Sequence, residues 1–208
     1  SFTSPECRVK GRLRLVGGFT MFRRLVLSIA VALVGFGCQA SSDDPCISNP
    51  SLPTCPGAEM PEFELVDFQT DSPFLGETYG LERFEGKVTI VALWAAWCGY
   101  CRGQAAQMEA LRTELAAAGK DINYVAINMI TGLERQGELA EQCTFPLLQD
   151  TDEVMAWEAM NGGKDDMYVY GSDGTLATFL PAGSASKPTN LSTAEGYATV
   201  RDALLAAE

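Results

Sequence analysis

The sequence predicts an α/β domain, a central mixed sheet flanked by helices, across residues 61–208. Three observations predict it. Val88-Thr-Ile-Val-Ala-Leu93 and Ile122-Asn-Tyr-Val-Ala-Ile127 are apolar runs of strand length containing β-branched residues, which suits strands buried on both faces. Between them Ala105, Met108, Leu111 and Leu115 recur at helical spacing, with Gly119 where a helix C-terminal glycine belongs. Beyond them Met167-Tyr-Val-Tyr170 and Leu176-Ala-Thr-Phe-Leu180 flank a turn at Ser172-Asp-Gly174, the pattern of a hairpin.

The chain of 208 residues has room for one such domain and a tail. Residues 1–20 are basic and without periodicity, and the expectation is an upstream extension with Met21 as the true start. Arg23 and Arg24 then precede an apolar tract from Leu25 to Phe36, the length of a signal-peptide core rather than the roughly 20 residues that a spanning helix needs. Residues 21–37 are therefore expected to be a signal peptide. Small residues before Cys38 and polar sequence after it resemble a bacterial lipoprotein cleavage site, with Cys38 as the lipidated N-terminus. Gly35 stands where that motif usually carries an aliphatic residue, and the alternatives are ordinary cleavage or an uncleaved signal anchor. Residues 38–60 read as a lipid-anchored flexible linker rich in Ser, Asp, Pro and Asn. Within it Cys46 and Cys55 are expected to form a local structural disulfide, as in an exported protein.

From residue 61 the elements follow in order. Glu62-Phe-Glu-Leu-Val-Asp67 alternates apolar and acidic residues, as a half-exposed strand does. A turn-rich stretch leads to Leu81 and Phe84, then to the first buried strand and the long helix. After the second buried strand, a polar helix is expected over residues 133–142. Phe145-Pro-Leu-Leu-Gln149 reads as an edge segment, since Pro146 has no N–H for a central ladder. Asp152 reads as the N-cap of a short helix that stops at Gly162-Gly163. Ser192-Thr-Ala-Glu195 has capping-box spacing for a last helix with Tyr197, Val200 and Leu204 inward.

The chemistry concentrates in Trp97-Cys98-Gly99-Tyr100-Cys101-Arg102, where the first buried strand ends and the long helix begins. A helix N-terminus presents unpaired N–H groups and the positive end of its dipole, which favour a thiolate at Cys98. A Cys-x-x-Cys thiol in this setting drops from about 8.5 to between about 3.5 and 7.5. Cys98 is thus the expected attacking sulfur and Cys101 the resolving one. A structural disulfide or a zinc site are the competing readings. Zinc calls for four ligands, usually Cys or His, and the chain has no histidine and no second such cysteine pair.

Charge excludes another class. The 208 residues hold 15 basic and 27 acidic groups; the first 37 carry six of the basic and one of the acidic, leaving nine against 26. A surface so negative repels phosphate backbones, so nucleic acid is not an expected partner.

The order β-α-β-α, β-hairpin, α, with the cysteine pair after the first buried strand, resembles the thioredoxin fold over residues 61–208. Pro61-Glu-Phe-Glu-Leu-Val-Asp67, Phe84-Glu-Gly-Lys-Val88 and Trp97-Cys-Gly-Tyr-Cys101 resemble membrane-tethered thioredoxin-like reductases of the bacterial periplasm. Val88–Leu93, Asn161-Gly-Gly-Lys-Asp-Asp-Met-Tyr-Val-Tyr170 and Asp173-Gly174 are similar to the N-terminal domain of selenoprotein P, with Cys98 as the sulfur counterpart of its selenocysteine. The resemblance implies a redoxin without a bound cofactor, exported to the periplasm or the outer face of a bacterial membrane. It further implies a protein disulfide or hydroperoxide substrate and an electron-donating redox partner.

Three departures from thioredoxin bear on mechanism. The cis-proline that faces the cysteines is replaced in Lys164-Asp165-Asp166, so a carboxylate near Cys98 is expected to raise its pKa, unless Lys164 neutralises it or both aspartates face solvent. The buried strand aspartate of thioredoxin is Ala92 here, leaving proton transfer to water, Lys164, Asp165, Asp166 or Tyr100, and predicting slow resolution by Cys101. Tyr100 replaces the proline of Cys-Gly-Pro-Cys, giving a Cys-Gly-Tyr-Cys similar to that of periplasmic disulfide isomerases and less strongly reducing. Trp94 is expected to pack and Trp97 to cover the sulfurs, while Cys143 is a buried apolar cysteine or an extra resolving thiol. The leading function is an exported, membrane-tethered thiol–disulfide oxidoreductase. The alternatives are a redoxin-type hydroperoxide reductase, although Val91 and Ala95 stand where peroxiredoxins carry Pro and Thr or Ser, and a non-catalytic binding module with an oxidised pair.

Overall fold

The structure, a computed structural model, describes residues 45–208. The expectations for the extension, the signal peptide and lipidation at Cys38 lie outside the described residues. The elements in chain order are α1 (Pro45–Ser48), β1 (Leu65–Asp67), β2 (Thr78–Tyr79), β3 (Thr89–Trp94), α2 (Gly99–Ala117), β4 (Asn123–Asn128), α3 (Gln136–Ala140), β5 (Leu147–Gln149), α4 (Ala156–Ala159), β6 (Met167–Tyr170), β7 (Leu176–Leu180) and α5 (Ala194–Ala206). The sheet runs β2-β1-β5-β4-β3-β6-β7. Its centre is parallel (β3 with β4, β4 with β5), and β1 and β6 join antiparallel on either side. This is the mixed sheet that the sequence predicts.

β3 is the spine. All six of its residues are buried, because helices and loops cover both sheet faces. Ile90, Ala92 and Trp94 enter one core with Met108, Leu111 and Leu115 of α2 and Val200 and Leu204 of α5. Val91 and Leu93 enter the other with Leu81, Phe84, Trp157, Tyr168 and Tyr170. The period-two alternation of a strand divides its side chains between these layers. α2 ends as expected: Gly119 takes φ +78°, and the Lys120 N–H donates to the Leu115 carbonyl at 2.9 Å. Only glycine enters that left-handed region freely.

Several expectations need correction. β5 is not an edge strand but lies between β1 and β4. Pro146 is tolerated because it precedes the strand and uses only its carbonyl, which accepts from Ala126 N–H at 3.1 Å. The polar helix of residues 133–142 is a 3₁₀ segment, Ile130–Arg135, followed by the short α3. α4 is capped by Asp150 rather than Asp152: its carboxylate accepts from the N–H groups of Ala156 (2.7 Å) and Trp157 (3.1 Å). α5 is capped by Thr193, not Ser192, with the Gly196 N–H donating to the threonine hydroxyl at 3.1 Å. The alternating strand at residues 62–67 shortens to three residues.

The end of the expected linker is also ordered. Cys46 and Cys55 are bonded, and Cys55 is 1% exposed. The following residues pair with the start of β7, the Gly57 N–H donating to the Leu176 carbonyl and the Leu176 N–H to Ala58, each at 2.7 Å. A segment rich in proline still docks where its backbone groups find partners.

Candidate active site

The loop from Trp94 to Cys98 is shaped by backbone bonds before any cysteine chemistry begins. Met129 N–H donates to the Trp94 carbonyl at 2.8 Å and Cys98 N–H to Ala95 at 2.9 Å. The Ala96 N–H is held by the Asn128 side-chain oxygen at 2.8 Å, and Asn128 in turn donates to Gln149 at 2.7 Å. This buried amide chain aims the cysteine pair.

Cys98 is the N-cap of α2, with extended backbone, and its sulfur accepts from the Cys101 N–H at 3.4 Å. Both sulfurs are free thiols; Cys98 is half-buried and Cys101 buried. The helix thus delivers an unpaired amide to the outer sulfur and hides the inner one, as the sequence predicts.

Across from the pair runs the loop before β6, where Asp165 occupies the left-handed region with φ +73° and no described peptide bond is cis. The loop is pinned to β3: Asp165 N–H donates to Leu93 at 2.8 Å, and Leu93 N–H to Asp166 at 3.0 Å. That conformation turns the buried Asp165 carboxylate inward, and the Cys101 thiol donates to it at 3.0 Å. Lys164 pairs with the same carboxylate, and its ammonium lies 3.7 Å from the Cys98 sulfur and 4.0 Å from that of Cys101.

These contacts give the two aspartates different places. Asp165 does not face solvent, but its direct partner is Cys101, not Cys98. Asp166 serves the loop, accepting from Gly163 and Ala182 N–H groups, both at 2.7 Å. Burial pushes the Cys98 thiol up, but the Cys101 hydrogen bonds and the Lys164 charge outweigh it, against a smaller push from Asp165, and its pKa is lowered. Burial also drives Cys101, where the Cys98 and Asp165 contacts add to it, and its pKa is raised far above the ordinary thiol value. One sulfur is prepared to be a thiolate, the other to stay protonated. Lys164 is pushed up to about 12, mainly by its bond to Asp165.

The remaining predicted residues sort themselves. Tyr100 is exposed, with the Lys164 ammonium 5.9 Å from its ring centre, a weak cation–π approach. Trp97 is exposed and its indole N–H donates to the Thr131 hydroxyl at 3.0 Å. Trp94 packs in the core against Phe145. Arg102 turns from the sulfurs toward the Ala96 carbonyl and Glu138. Gly99 begins α2, and a Cβ there would meet nothing closer than the Arg102 guanidinium at 3.8 Å, so the backbone does not require glycine. Cys143 is buried, and the Gln69 amide donates to its carbonyl at 2.7 Å and approaches its sulfur at 3.8 Å.

Sequence reasoning missed Asn128 and Gln149. The signal was a polar residue closing an otherwise apolar strand; Gly132 is the counterpart, since a Cβ there would come within 2.2 Å of the Asn128 side chain. Among the described residues no cluster of three or more Cys, Asp or Glu is placed to hold a metal, and no helix is long and apolar enough to cross a membrane.

The AhpC/TSA family model matches residues 56–177. Selenoprotein P of Mus musculus is 27% identical over 166 residues, covering 77% of this chain but 39% of that protein. The thiol-disulfide oxidoreductase ResA of Oceanobacillus iheyensis is 26% identical over 163 residues, covering 78% of this chain and 77% of the relative. The chain therefore spans about two fifths of the mouse selenoprotein P and about three quarters of ResA. A secreted disulfide oxidoreductase from Mycobacterium tuberculosis superposes with a TM-score of 0.51 at 18% identity, over 69% of this chain and 95% of that one. The fold is thioredoxin-like, and the resemblance to selenoprotein P and to thioredoxin-like reductases is borne out.

Proposed function

Since this chain belongs to the AhpC/TSA family, we propose that it is a thiol–disulfide oxidoreductase whose working pair is Cys98 and Cys101. The observation that carries this is the asymmetry of the two sulfurs. Cys98, at the helix N-cap with an amide at 3.4 Å and an ammonium at 3.7 Å, is stabilised as the anion that attacks. Cys101, buried and hydrogen-bonded to a carboxylate, waits as the neutral thiol. The Cys98 thiolate attacks a substrate disulfide and forms a mixed disulfide, expelling one substrate thiolate. Cys101 then attacks Cys98, expelling the second substrate thiolate and leaving a Cys98–Cys101 disulfide. Two electrons have passed to the substrate, and a dithiol donor protein resets the pair.

The disulfide between Cys46 and Cys55 supports an oxidising compartment. With the signal and Cys38 motifs, it supports an exported protein tethered by a lipid outside the cytoplasm. Peroxide reduction is the weaker reading: Ala95, three residues before Cys98, is fully buried and offers no hydroxyl to position a peroxide.

The test is insulin reduction driven by an external dithiol, together with capture of a substrate by Cys101→Ala. The expected result is turnover by the wild type and a stable mixed disulfide at Cys98 in the variant. Consumption of hydroperoxide without insulin reduction would favour the peroxidase, and failure of both assays the binding module.

A further inference from the structure

Resolution by Cys101 meets an obstacle in this fold. The sulfur is fully buried in the main core, so its proton has no direct route to water, and a neutral thiol does not attack a disulfide. The strand position that could hold a base is Ala92, packed between Ile90 and Trp94.

We propose that Asp165 is the catalytic base for the resolving step, taking the Cys101 proton from the loop before β6. This rests on the dithiol exchange proposed above and assigns the residue that its second half needs. The geometry is direct: the Cys101 thiol donates to Asp165 Oδ1 at 3.0 Å. Asp165 is 7% exposed; Lys164 binds its other oxygen, Oδ2, which leaves Oδ1 for the thiol. The other groups around Cys101 and Asp165 are Cys98 at the N-cap of α2, Tyr100 within it, and the Lys164 ammonium. Asp166 is engaged by backbone amides and Arg102 by Glu138.

In the mixed disulfide, the Cys101 proton passes to Asp165 Oδ1. The Cys101 thiolate attacks the Cys98 sulfur, the bond between Cys98 and the substrate sulfur breaks, and the substrate leaves as a thiolate. Asp165 then returns its proton to solvent, to the departing thiolate, or to Cys101 when the pair is reduced again. Lys164 stabilises negative charge wherever it sits among Cys98, Cys101 and Asp165.

The backbone explains the choice of residue. φ +73° favours glycine, asparagine and aspartate, and that turn carries the carboxylate to the sulfur. Asp165→Asn preserves the conformation and the shape while removing the base.

The test is a single turnover of reduced protein with an equimolar amount of dithiobis(nitrobenzoate), which releases one coloured thiolate when Cys98 attacks and a second when Cys101 resolves. In Asp165→Asn the first phase is expected at the wild-type rate or faster, since a negative charge near Cys98 is gone. The second phase is expected to slow by about 100-fold or more at neutral pH, the usual contribution of a positioned base, and to rise more steeply with pH than in the wild type. An unchanged second phase overturns the inference. So does equal slowing of both phases with unaltered pH dependence, the signature of a structural role. Absence of the first phase in the wild type would overturn the oxidoreductase reading, and this inference with it.

Discussion

Replacing Lys164 with glutamine tests the electrostatics of the attacking sulfur. The ammonium lies 3.7 Å from the Cys98 sulfur. Two unit charges at about 4 Å interact by about 1 kcal/mol in bulk water and by about 4 kcal/mol near a protein surface. The Lys164 side chain is 36% exposed and already paired with Asp165, so the lower figure governs. One kcal/mol corresponds to about 0.7 of a pKa unit. The variant also leaves the Asp165 carboxylate without its counter-ion beside both sulfurs, a perturbation of the same sign. The Cys98 pKa should therefore rise by about one unit in Lys164→Gln. The amide bond at the N-cap survives, so the thiol does not lose all its activation. The assay is the rate of iodoacetamide alkylation of the reduced protein across pH, with the modified cysteine identified by mass spectrometry. Below its midpoint the variant should react about tenfold more slowly, and Lys164→Arg should stay near the wild type. A midpoint that fails to move, or moves down, refutes the charge argument and leaves the helix terminus as the sole activator.

Other outcomes follow from the same contacts. Asn128→Ala orphans the Ala96 N–H, while Gln149 keeps its bond from Gln136 (2.9 Å); the loss should be about 1–3 kcal/mol in urea unfolding. Replacing Cys46 and Cys55 by serine opens a short loop with sequence separation 9. On the chain-entropy estimate this costs about 2–3 kcal/mol, visible as a lower denaturant midpoint, with insulin reduction retained in the folded protein. Burial pushes the Cys143 thiol up to about 12, so the fold holds its neutral form. Stability should fall as pH rises past the ordinary thiol value of about 8.5 and continue falling toward 12; Cys143→Ala should show a shallower alkaline decline in denaturant melts.

Much of this was legible in the chain because it is written in local periodicity. β3, β4 and the β6–β7 hairpin show as apolar runs with turn residues between them, α2 as a helical stripe closed by Gly119, and the cysteine pair falls at the join. What was not legible depends on neighbours distant in sequence. The insertion of β5 between β1 and β4 is a matter of strand order, to which Pro146 gave a misleading local signal. Asp150 caps α4 from six residues upstream of Ala156, through a bend at Met155 with φ +52°, beyond the usual capping interval. The sequence marks Lys164-Asp165-Asp166 as a charged replacement for proline but hides its division of labour. Only the left-handed turn at Asp165 decides that one carboxylate meets a sulfur and its neighbour two backbone amides.

That turn also explains how a catalytic carboxylate can coexist with this core. A base on β3 at Ala92 would sit among Ile90, Trp94 and Met108, where an isolated charge costs several kcal/mol and would be neutralised instead. The loop position has a way out: its residue is buried at the sulfur, yet the adjacent Lys164 reaches solvent and stays charged. Moving the acid from the strand to the loop removes the desolvation problem from the sheet, which is then free to be apolar on both faces. It also couples the two sulfurs through one ion pair. The Lys164 ammonium is paired with Asp165 and lies 3.7 Å from the Cys98 sulfur and 4.0 Å from that of Cys101, within reach of charge on either. The group that stabilises the attacker is thus available to stabilise the resolver in the next step. A chain without histidine then needs no second titrating residue to carry the reaction through.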